Sequence, residues 1–557
     1  MGNISTYSDI FRSENLIILV VLSVLNGVFL LFASQKFLLV HQQGGYRYKR
    51  FFKWLKNPET PYLSRLMLLC LLAFLFFNVI NVSFSPIINS VDYAPYVGFI
   101  SYLVFGFAYI NTERSVNAKV PLKKTKRLVR LSITFTILLA VLSFVFLVLL
   151  NVLGLSIKNE MVWLLRYSLI CAMPILLPFV LMFAGVINQP VESFLKRHYL
   201  TVAKANIKKY DVIKIGITGS YGKTSVKEIL KTLLSQKFRV LSSPESYNTP
   251  LGVALTVKNL DSTHDVLLLE MGARHKGDIR ELAEMVKPNM GVITGINSQH
   301  LETFKTQQNI LDTKFELCEY IGTNGSCFFS SDSCYTVELF NKYNGDKVLS
   351  GLASENNFVY ATDISTDKRG TSFTLHIKGE QPVKCLTVLL GAHNVSNICL
   401  AVSVCYKLGM SVDEIAFGIN RISSIGHRLE LLPNNKDVVI IDDSYNSNED
   451  GVESALKVLS SFSGRKIVVT PGLIELGKRE NLANFKFGKL LATHADKVII
   501  VGKQNAEMLI NGLLDGGKSR EDIYFEKNSS RGNETLNSII MKNDVVLFEN
   551  DLPDNYN

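Results

Sequence analysis

Apolar residues follow two different patterns along this 557-residue chain. Up to about residue 190 they run in long unbroken stretches, whereas beyond about residue 210 strand-like apolar blocks alternate with amphipathic runs and glycine-containing turns. A bilayer core takes about twenty apolar residues in helix. Five stretches qualify: Leu16 to Val40, Leu66 to Ile88, Tyr96 to Ile110, Leu131 to Leu155 and Met161 to Ile187, of which the third is short and polar-edged. The first has no basic leader and is followed by four more, so it reads as a span and not as a cleaved signal.

In the second half, Val212 to Ile217 reads as a strand and Val226 to Leu234 as an amphipathic helix. His264 to Met271 is a buried parallel strand closed by Glu270, and Pro288 to Asn297 contains another strand. Gly391 to Leu408 opens a helix rich in small residues. Past Ile425 a second α/β unit places strands at Val438 to Ile441, Lys466 to Thr470 and Lys497 to Val501. The expected organisation is a multi-span α-helical membrane region over 1–200, a P-loop ATPase-like α/β domain over 201–425 and a Rossmann-like domain over 426–557.

Charge sharpens the first region. The formal net charge is +10, and the basic residues cluster in loops between apolar stretches: Arg47, Lys49, Arg50, Lys53 and Lys56, then Arg114, Lys119, Lys123, Lys124, Lys126, Arg127 and Arg130. Lys196, Arg197, Lys204, Lys208 and Lys209 follow the fifth stretch, while Asn89 to Pro95 holds no basic residue and the loop near Lys158 holds one. Basic loops are retained on the cytoplasmic side. The expectation is therefore five spans in a bacterial cytoplasmic membrane, with the N-terminus outside and the α/β half in the cytoplasm. Nucleic-acid binding is not expected, since no recognition motif accompanies the basic clusters. Arg166 lies inside the fifth stretch near its beginning, where it is a candidate intramembrane charge or a snorkelling one. The eight Cys show no Cys-x-x-Cys and no His/Cys cluster, against a zinc site of ordinary spacing.

The chemistry begins at Ile215 to Ser225, Ile-Gly-Ile-Thr-Gly-Ser-Tyr-Gly-Lys-Thr-Ser. A strand runs into a glycine turn with Lys and Thr at the mouth of a helix, the composition of a triphosphate cradle. Gly219, Ser220 and Gly222 shape the turn, Lys223 supplies the cation, and Thr224 and Ser225 supply hydroxyls, Thr224 on the Mg²⁺ side. Ile217 stands where the strict Gly-x4-Gly-Lys-[ST] pattern has its first Gly. Ligands of open α/β sheets bind at the carboxyl ends of strands, so Glu270 is placed to meet a metal beside the phosphates. His300 and, fourteen residues on, Lys314 complete the run.

The ordered set Gly216 to Ser225, Glu270-Met271-Gly272-Ala273, His300-Leu301-Glu302, Lys314, Gly391-Ala392-His393-Asn394, His427-Arg428-Leu429-Glu430 and Asp442 to Asn448 resembles the Mur ligases over roughly residues 205 to 550. That resemblance implies an ATP-dependent ligase joining a carboxylate to an amine through an acyl phosphate. It implies Thr224 and Glu270 at a first Mg²⁺, His300 at a second, and Lys314 there too as a carbamylated lysine. It places Asn394 against adenine, Arg428 on the ATP phosphates, Asp443 on the ribose, and Tyr445, Asn446 and Asn448 on the base. Glu449 stands where the family usually has Pro, and Ser246 to Gly252 matches the family's loop near the acid substrate.

A Mur ligase has three domains, and its small N-terminal domain grips the uridine diphosphate of the sugar substrate. Here apolar stretches stand in that place. The exchange implies a lipid-linked or membrane-proximal carboxylate acceptor, given an amino acid or similar amine. The alternatives are a tethered ligase making the UDP-linked pentapeptide precursor of peptidoglycan, and an ATP-driven transporter or nucleotide sensor. The acid, the amine and the oligomeric state are left open.

Overall fold

The computed structural model describes residues 13–56, 122–156, 160–244, 247–297, 301–352, 354–433, 437–445, 448–474, 476 and 479–550. It divides into two compact units, Met1–Leu195 and Lys196–Asn557.

The described part of the first unit is all helix: Ser13–Ala33, Gln35–Gln43, Tyr48–Leu55, Lys126–Ser156 and the start of Glu160–Lys209. Ser13–Ala33 packs against Lys126–Ser156. Leu30, Phe135, Leu139, Leu177 and Leu181 are buried between helices, while Ile133, Ile137, Val141, Val145 and Leu149 recur every fourth residue on an exposed stripe of Lys126–Ser156. A helix apolar on both its packed and its exposed face is the pattern of a bilayer span. Inside, the Asn26 amide donates to Ser143 Oγ at 3.0 Å and the Ser143 hydroxyl to Leu139 O at 2.7 Å, so the polar groups satisfy one another as membrane packing requires.

Three helices among the described residues are long and apolar enough to cross a membrane, at Leu16–Ala33, Lys126–Leu149 and Leu176–Lys209. The expected spans Leu66 to Ile88 and Tyr96 to Ile110 lie outside the described residues, as does the Arg166 side chain. The stretch from Leu16 to Val40 is not one helix, because it breaks at Ser34. The last is longer than expected and continues as one helix to Lys209. Its hydropathy ends near Ile187, but residues 196–209 keep a helical stripe, burying Ala203 and Ile207 with Val212, Val253 and Val257 in the second unit.

Two sheets organise that second unit. The first contains β1 (Ile213–Thr218), β2 (Val240–Ser242), β3 (Val266–Glu270), β4 (Met290–Ile293), β5 (Ser326–Ser330), β6 (Asp346–Leu352), β7 (Val359–Asp367), β8 (Gly370–Ile377) and β9 (Val383–Thr387), in the order β2-β3-β1-β4-β5-β6-β7-β8-β9. It is parallel from β2 to β7 and antiparallel from β7 to β9. The continuous Val/Ile/Leu runs of β1 and β3 follow from burial on both faces. From β1 the chain goes to β2 and β3 on one side and then crosses to β4 on the other, opening a crevice at the carboxyl ends of β1 and β4.

The second sheet holds β10 (Glu430–Leu432), β11 (Val439–Asp443), β12 (Lys466–Thr470), β13 (Lys497–Val501), β14 (Ile523–Glu526) and β15 (Val545–Glu549), in the order β10-β11-β15-β12-β13-β14. Only β10 runs antiparallel to its neighbour. The strands expected at Lys466 to Thr470 and Lys497 to Val501 are found with those bounds. The antiparallel flap β7–β9 was not expected from the sequence pattern.

Candidate active site

The cradle follows directly from β1. Its turn, Gly219 to Gly222, hands over to the helix Lys223–Leu234, and Gly222 caps that helix at φ 78°. This is the left-handed region where a side chain is strained, and a Cβ at Gly222 would also stand 3.1 Å from Asn397 Oδ1. The next N–H groups, from Lys223 to Ser225, belong to the first helical turn, which leaves its donors for an anion. Lys223 curls back so that its Nζ donates to Gly219 O at 2.8 Å and Ser220 O at 3.0 Å. Burial holds the ammonium below its ordinary pKa, Glu270 opposes that shift, and Arg428 adds to it.

Glu270 ends β3 buried, at 2% exposure. The Thr224 hydroxyl donates to its Oε2 at 3.0 Å, and the Asn248 amide to its Oε1 at 2.9 Å. Both carboxylate oxygens are thus aimed by a hydroxyl and an amide beside the phosphate turn, which suits a hard cation that takes oxygen ligands and keeps waters. Among the described residues no group of three or more His, Cys, Asp or Glu gathers as a metal site.

Lys314 comes from the helix Gln307–Ile321 and is buried. Burial, with the Lys223 ammonium adding to it, pulls its pKa down to about 7, against the pull of Asp278, Glu316 and Glu270. It is therefore not a solvated helix lysine. The neighbouring Glu316 faces another way, accepting from Gly277 N at 2.7 Å and Arg280 N at 2.9 Å at the start of the helix Asp278–Val286.

The second sheet supplies the facing half. Arg428 sits between two residues of positive φ, His427 at 59° and Leu429 at 48°, and its guanidinium lies 4.6 Å from the Tyr445 ring centroid. Asp443 Oδ1, at the carboxyl end of β11, accepts from Leu429 N at 3.2 Å. Burial pushes the Asp443 carboxyl up to about 6, opposed by that hydrogen bond and by Arg428. Tyr445 is exposed.

The structure thus gathers Lys223, Thr224, Glu270 and Lys314 on one side and Arg428, Asp443 and Tyr445 on the other. Asn394 is buried at the start of the helix Ala392–Lys407, where its amide donates to Leu390 O at 2.9 Å. Asn448 is committed locally: its Oδ1 accepts from Gly451 N at 2.9 Å as the N-cap of the helix Glu449–Ser461. Glu449, in the place of the family's Pro, begins that helix and lies 3.7 Å from Arg479. His300 and Asn446 lie outside the described residues. His393 is pushed down to about 4 by burial, which leaves it neutral.

Sequence reasoning missed the role of Asn248 as holder of Glu270; its signal was the position of Asn248 in a loop preceding a Thr249-capped, Pro250-led helix. It also missed Tyr221, whose ring packs on Gly295 so closely that a Cβ there would overlap it. Burial, with Asp450 and Asp332 adding to it, pushes the Tyr221 phenol up to about 12.

Comparison with known proteins agrees with this geometry. Residues 217–405 match the Mur ligase middle domain and residues 427–549 match the Mur ligase, glutamate ligase domain, together more than half of the chain. The UDP-N-acetylmuramoyl-tripeptide–D-alanyl-D-alanine ligase of Buchnera aphidicola subsp. Baizongia pistaciae is 31% identical over 297 residues, which are 53% of this chain and 64% of that protein. The Bacillus subtilis ligase of the same name is 28% identical over 62% of this chain and 75% of its own length. The chain thus spans less than two thirds of the first relative and three quarters of the second. A MurF ligase from Thermotoga maritima, solved in complex with ADP, superposes with a TM-score of 0.58 at 25% identity, covering 64% of this chain and 80% of that one.

Proposed function

We propose that this chain, which belongs to the Mur ligase family through its middle and C-terminal domains, is an ATP-dependent ligase that joins an amine to a carboxylate, and that it does so as a MurF-type enzyme adding D-Ala-D-Ala to UDP-MurNAc-tripeptide. The observation that carries the ligase reading is the convergence of Lys223, Thr224, Glu270 and Lys314 beside β1 and β3, within reach of the charge of Arg428, which in turn lies near Asp443. The names of the relatives carry the substrate reading. They favour it over the lipid-linked acceptor expected from the sequence, and over a transporter or nucleotide sensor.

In such a ligase the acceptor carboxylate attacks the γ-phosphorus and ADP leaves; the amine nitrogen then attacks the acyl carbon, loses a proton and expels phosphate. Lys223 and the helix N-terminus neutralise charge on the phosphoryl oxygens. Thr224 and Glu270 would hold Mg²⁺, which would supply charge neutralisation on the phosphates when bound. Lys314, uncharged in part near pH 7, would take up CO₂ with release of a proton, and its carbamate oxygens would serve as donors to a second Mg²⁺. Arg428 bears on the phosphates, Asp443 accepts from the ribose hydroxyls, and Tyr445 stacks on the base.

A second reading, a membrane-proximal acceptor, has one observation in its favour: helices with the length and composition of spans precede residue 217, where the family match starts. On either reading the protein sits in a bacterial cytoplasmic membrane with its ligase domains inside, supported by the basic clusters flanking the apolar stretches. Purified protein in detergent is assayed for ADP release with UDP-MurNAc-tripeptide and D-Ala-D-Ala, and in parallel with a lipid extract and the same amine. Release dependent on both soluble substrates supports the MurF-type reading. Release only with the lipid fraction transfers the assignment to the second, and release with neither removes both.

A further inference from the structure

One side chain joins the two halves of the site away from the reacting groups. The loop that leaves β4, Thr294 to Asn297, is fixed carbonyl by carbonyl. Gly295 O accepts from Ser220 N at 2.7 Å and Tyr221 N at 3.3 Å. Ile296 O accepts from the Ser333 hydroxyl at 3.0 Å, and Asn297 O from the Ser220 hydroxyl at 3.4 Å. The Thr294 hydroxyl returns a bond to Tyr221 O. The phosphate turn and this loop therefore form one body, and the Asn297 backbone is held in place by the cradle. From that backbone the Asn297 amide donates to Asp450 Oδ2 at 2.8 Å.

Asp450 occupies the first turn of the helix Glu449–Ser461, whose Asn448 cap follows directly on the strand and loop that carry Asp443 and Tyr445. A carboxylate in the first turn is stabilised there by the helix dipole, and the bond it accepts is charge-assisted, stronger than a neutral one. The contact joins the cradle to the element that carries the nucleotide-facing residues of the C-terminal domain.

We infer that Asn297 and Asp450 are positioning residues that latch the C-terminal domain over the phosphate cradle, so that Arg428 and Asp443 engage the nucleotide held by Lys223. The inference rests on the ligase reading for its purpose but not for its measurement. Neither residue touches the reacting atoms. The latch acts by raising the fraction of the protein in which both halves face one nucleotide, and apparent affinity scales with that fraction.

The test is a double-mutant cycle on the full chain, read as the Kd of a non-hydrolysable ATP analogue and as the KM and kcat of ADP release. Asn297→Ala and Asp450→Ala are each expected to weaken analogue binding about ten- to a hundredfold, the range of a lost charge-assisted bond. The double variant is expected to lose no more than either single one. The exchange Asn297→Asp with Asp450→Asn rebuilds the bond with donor and acceptor reversed, and is expected to restore binding to within about twofold. KM for ATP moves and kcat follows less. Additive losses, unchanged binding in the single variants, or an exchange no better than the single variants would overturn the latch; melting curves on the same samples identify any variant that does not fold, and the exchange then decides alone. If the cycle closes as expected while the wild type makes no amide from any acceptor tried, the ligase reading falls and the latch stands.

Discussion

The two halves of the site are built on opposite plans. In the middle domain, Glu270 is buried with both oxygens held, Lys223 is folded onto its own turn, and Thr224 and Asn248 are already bonded. In the C-terminal domain, Arg428 lies between two left-handed residues, Asp443 carries a carboxyl raised to about 6, and Tyr445 is exposed. The first half is preorganised for charge that develops during reaction, the arrangement that gives electrostatic catalysis its size. The second holds a desolvated carboxyl and a backbone in sparsely populated conformations, a cost borne where the surrounding structure over-determines them. One half is set for chemistry and the other for capture, so substitutions in the first should fall on kcat and in the second on KM.

The largest effect is expected at Lys223. Lys223→Ala removes the cation of the glycine turn and should lower turnover by about a thousandfold, on the scale of losing one electrostatic stabiliser, with helical content unchanged. Phosphate release at the wild-type rate would dissolve the distinction between the halves at its strongest point.

Lys314 comes next. Lys314→Ala should cost roughly a hundredfold in kcat, with ATP-analogue binding little changed and partial recovery on adding a short carboxylic acid. Its pKa near 7 gives the pH dependence a sign. CO₂ combines with the uncharged amine, whose fraction grows as pH rises through 7, so CO₂-depleted enzyme should regain activity with bicarbonate at pH 8 and much less at pH 6. Equal recovery at both would return Lys314 to a purely electrostatic role.

Asp443 sharpens the capture side. Its carboxyl gains a proton as pH falls through about 6, and a protonated carboxyl is a poorer acceptor for ribose hydroxyls. The KM for ATP should rise below pH 6 in the wild type, and Asp443→Asn should have a KM about tenfold higher that no longer changes across that window. A variant retaining the wild-type pH profile would place the titration elsewhere.

The smallest effect separates a cap from a ligand. Asn448→Ala should lose about 1 kcal/mol of helix capping and lower Tm by a few degrees, whereas Asn448→Asp keeps the cap and should melt like the wild type. If the aspartate variant melts normally but binds ATP poorly, Asn448 serves the base as well.

How much of this was legible in the sequence depends on how local each signal is. The cradle is local: β1, the glycine turn and Lys223–Thr224 are consecutive, and the structure extends the expected helix by only one turn at its start. The end of a strand at Glu270 was legible because a buried run announces its own carboxyl end. Lys314 lies fourteen residues from His300, on a helix that by itself would have suited solvent, and its lowered pKa comes from burial in the packing of Gln307–Ile321 with the Lys223 ammonium adding to it. The apolar stretches indicated helices, but hydropathy alone did not find the break at Ser34 or the continuation of the last helix to Lys209.

The sequence by itself determined the succession of helices and parallel strands, the turn that receives phosphates and the family, because each is written in consecutive residues whose backbone geometry and periodicity are intrinsic. Only the tertiary structure decided that Asn248 and Thr224 share one carboxylate, that Lys314 loses its water, that Asn448 serves its own helix, and that Asn297 reaches Asp450 across 153 residues of chain. Hydrogen bonding and desolvation depend on which groups are neighbours in space, and strand crossovers set that neighbourhood beyond the reach of any local pattern.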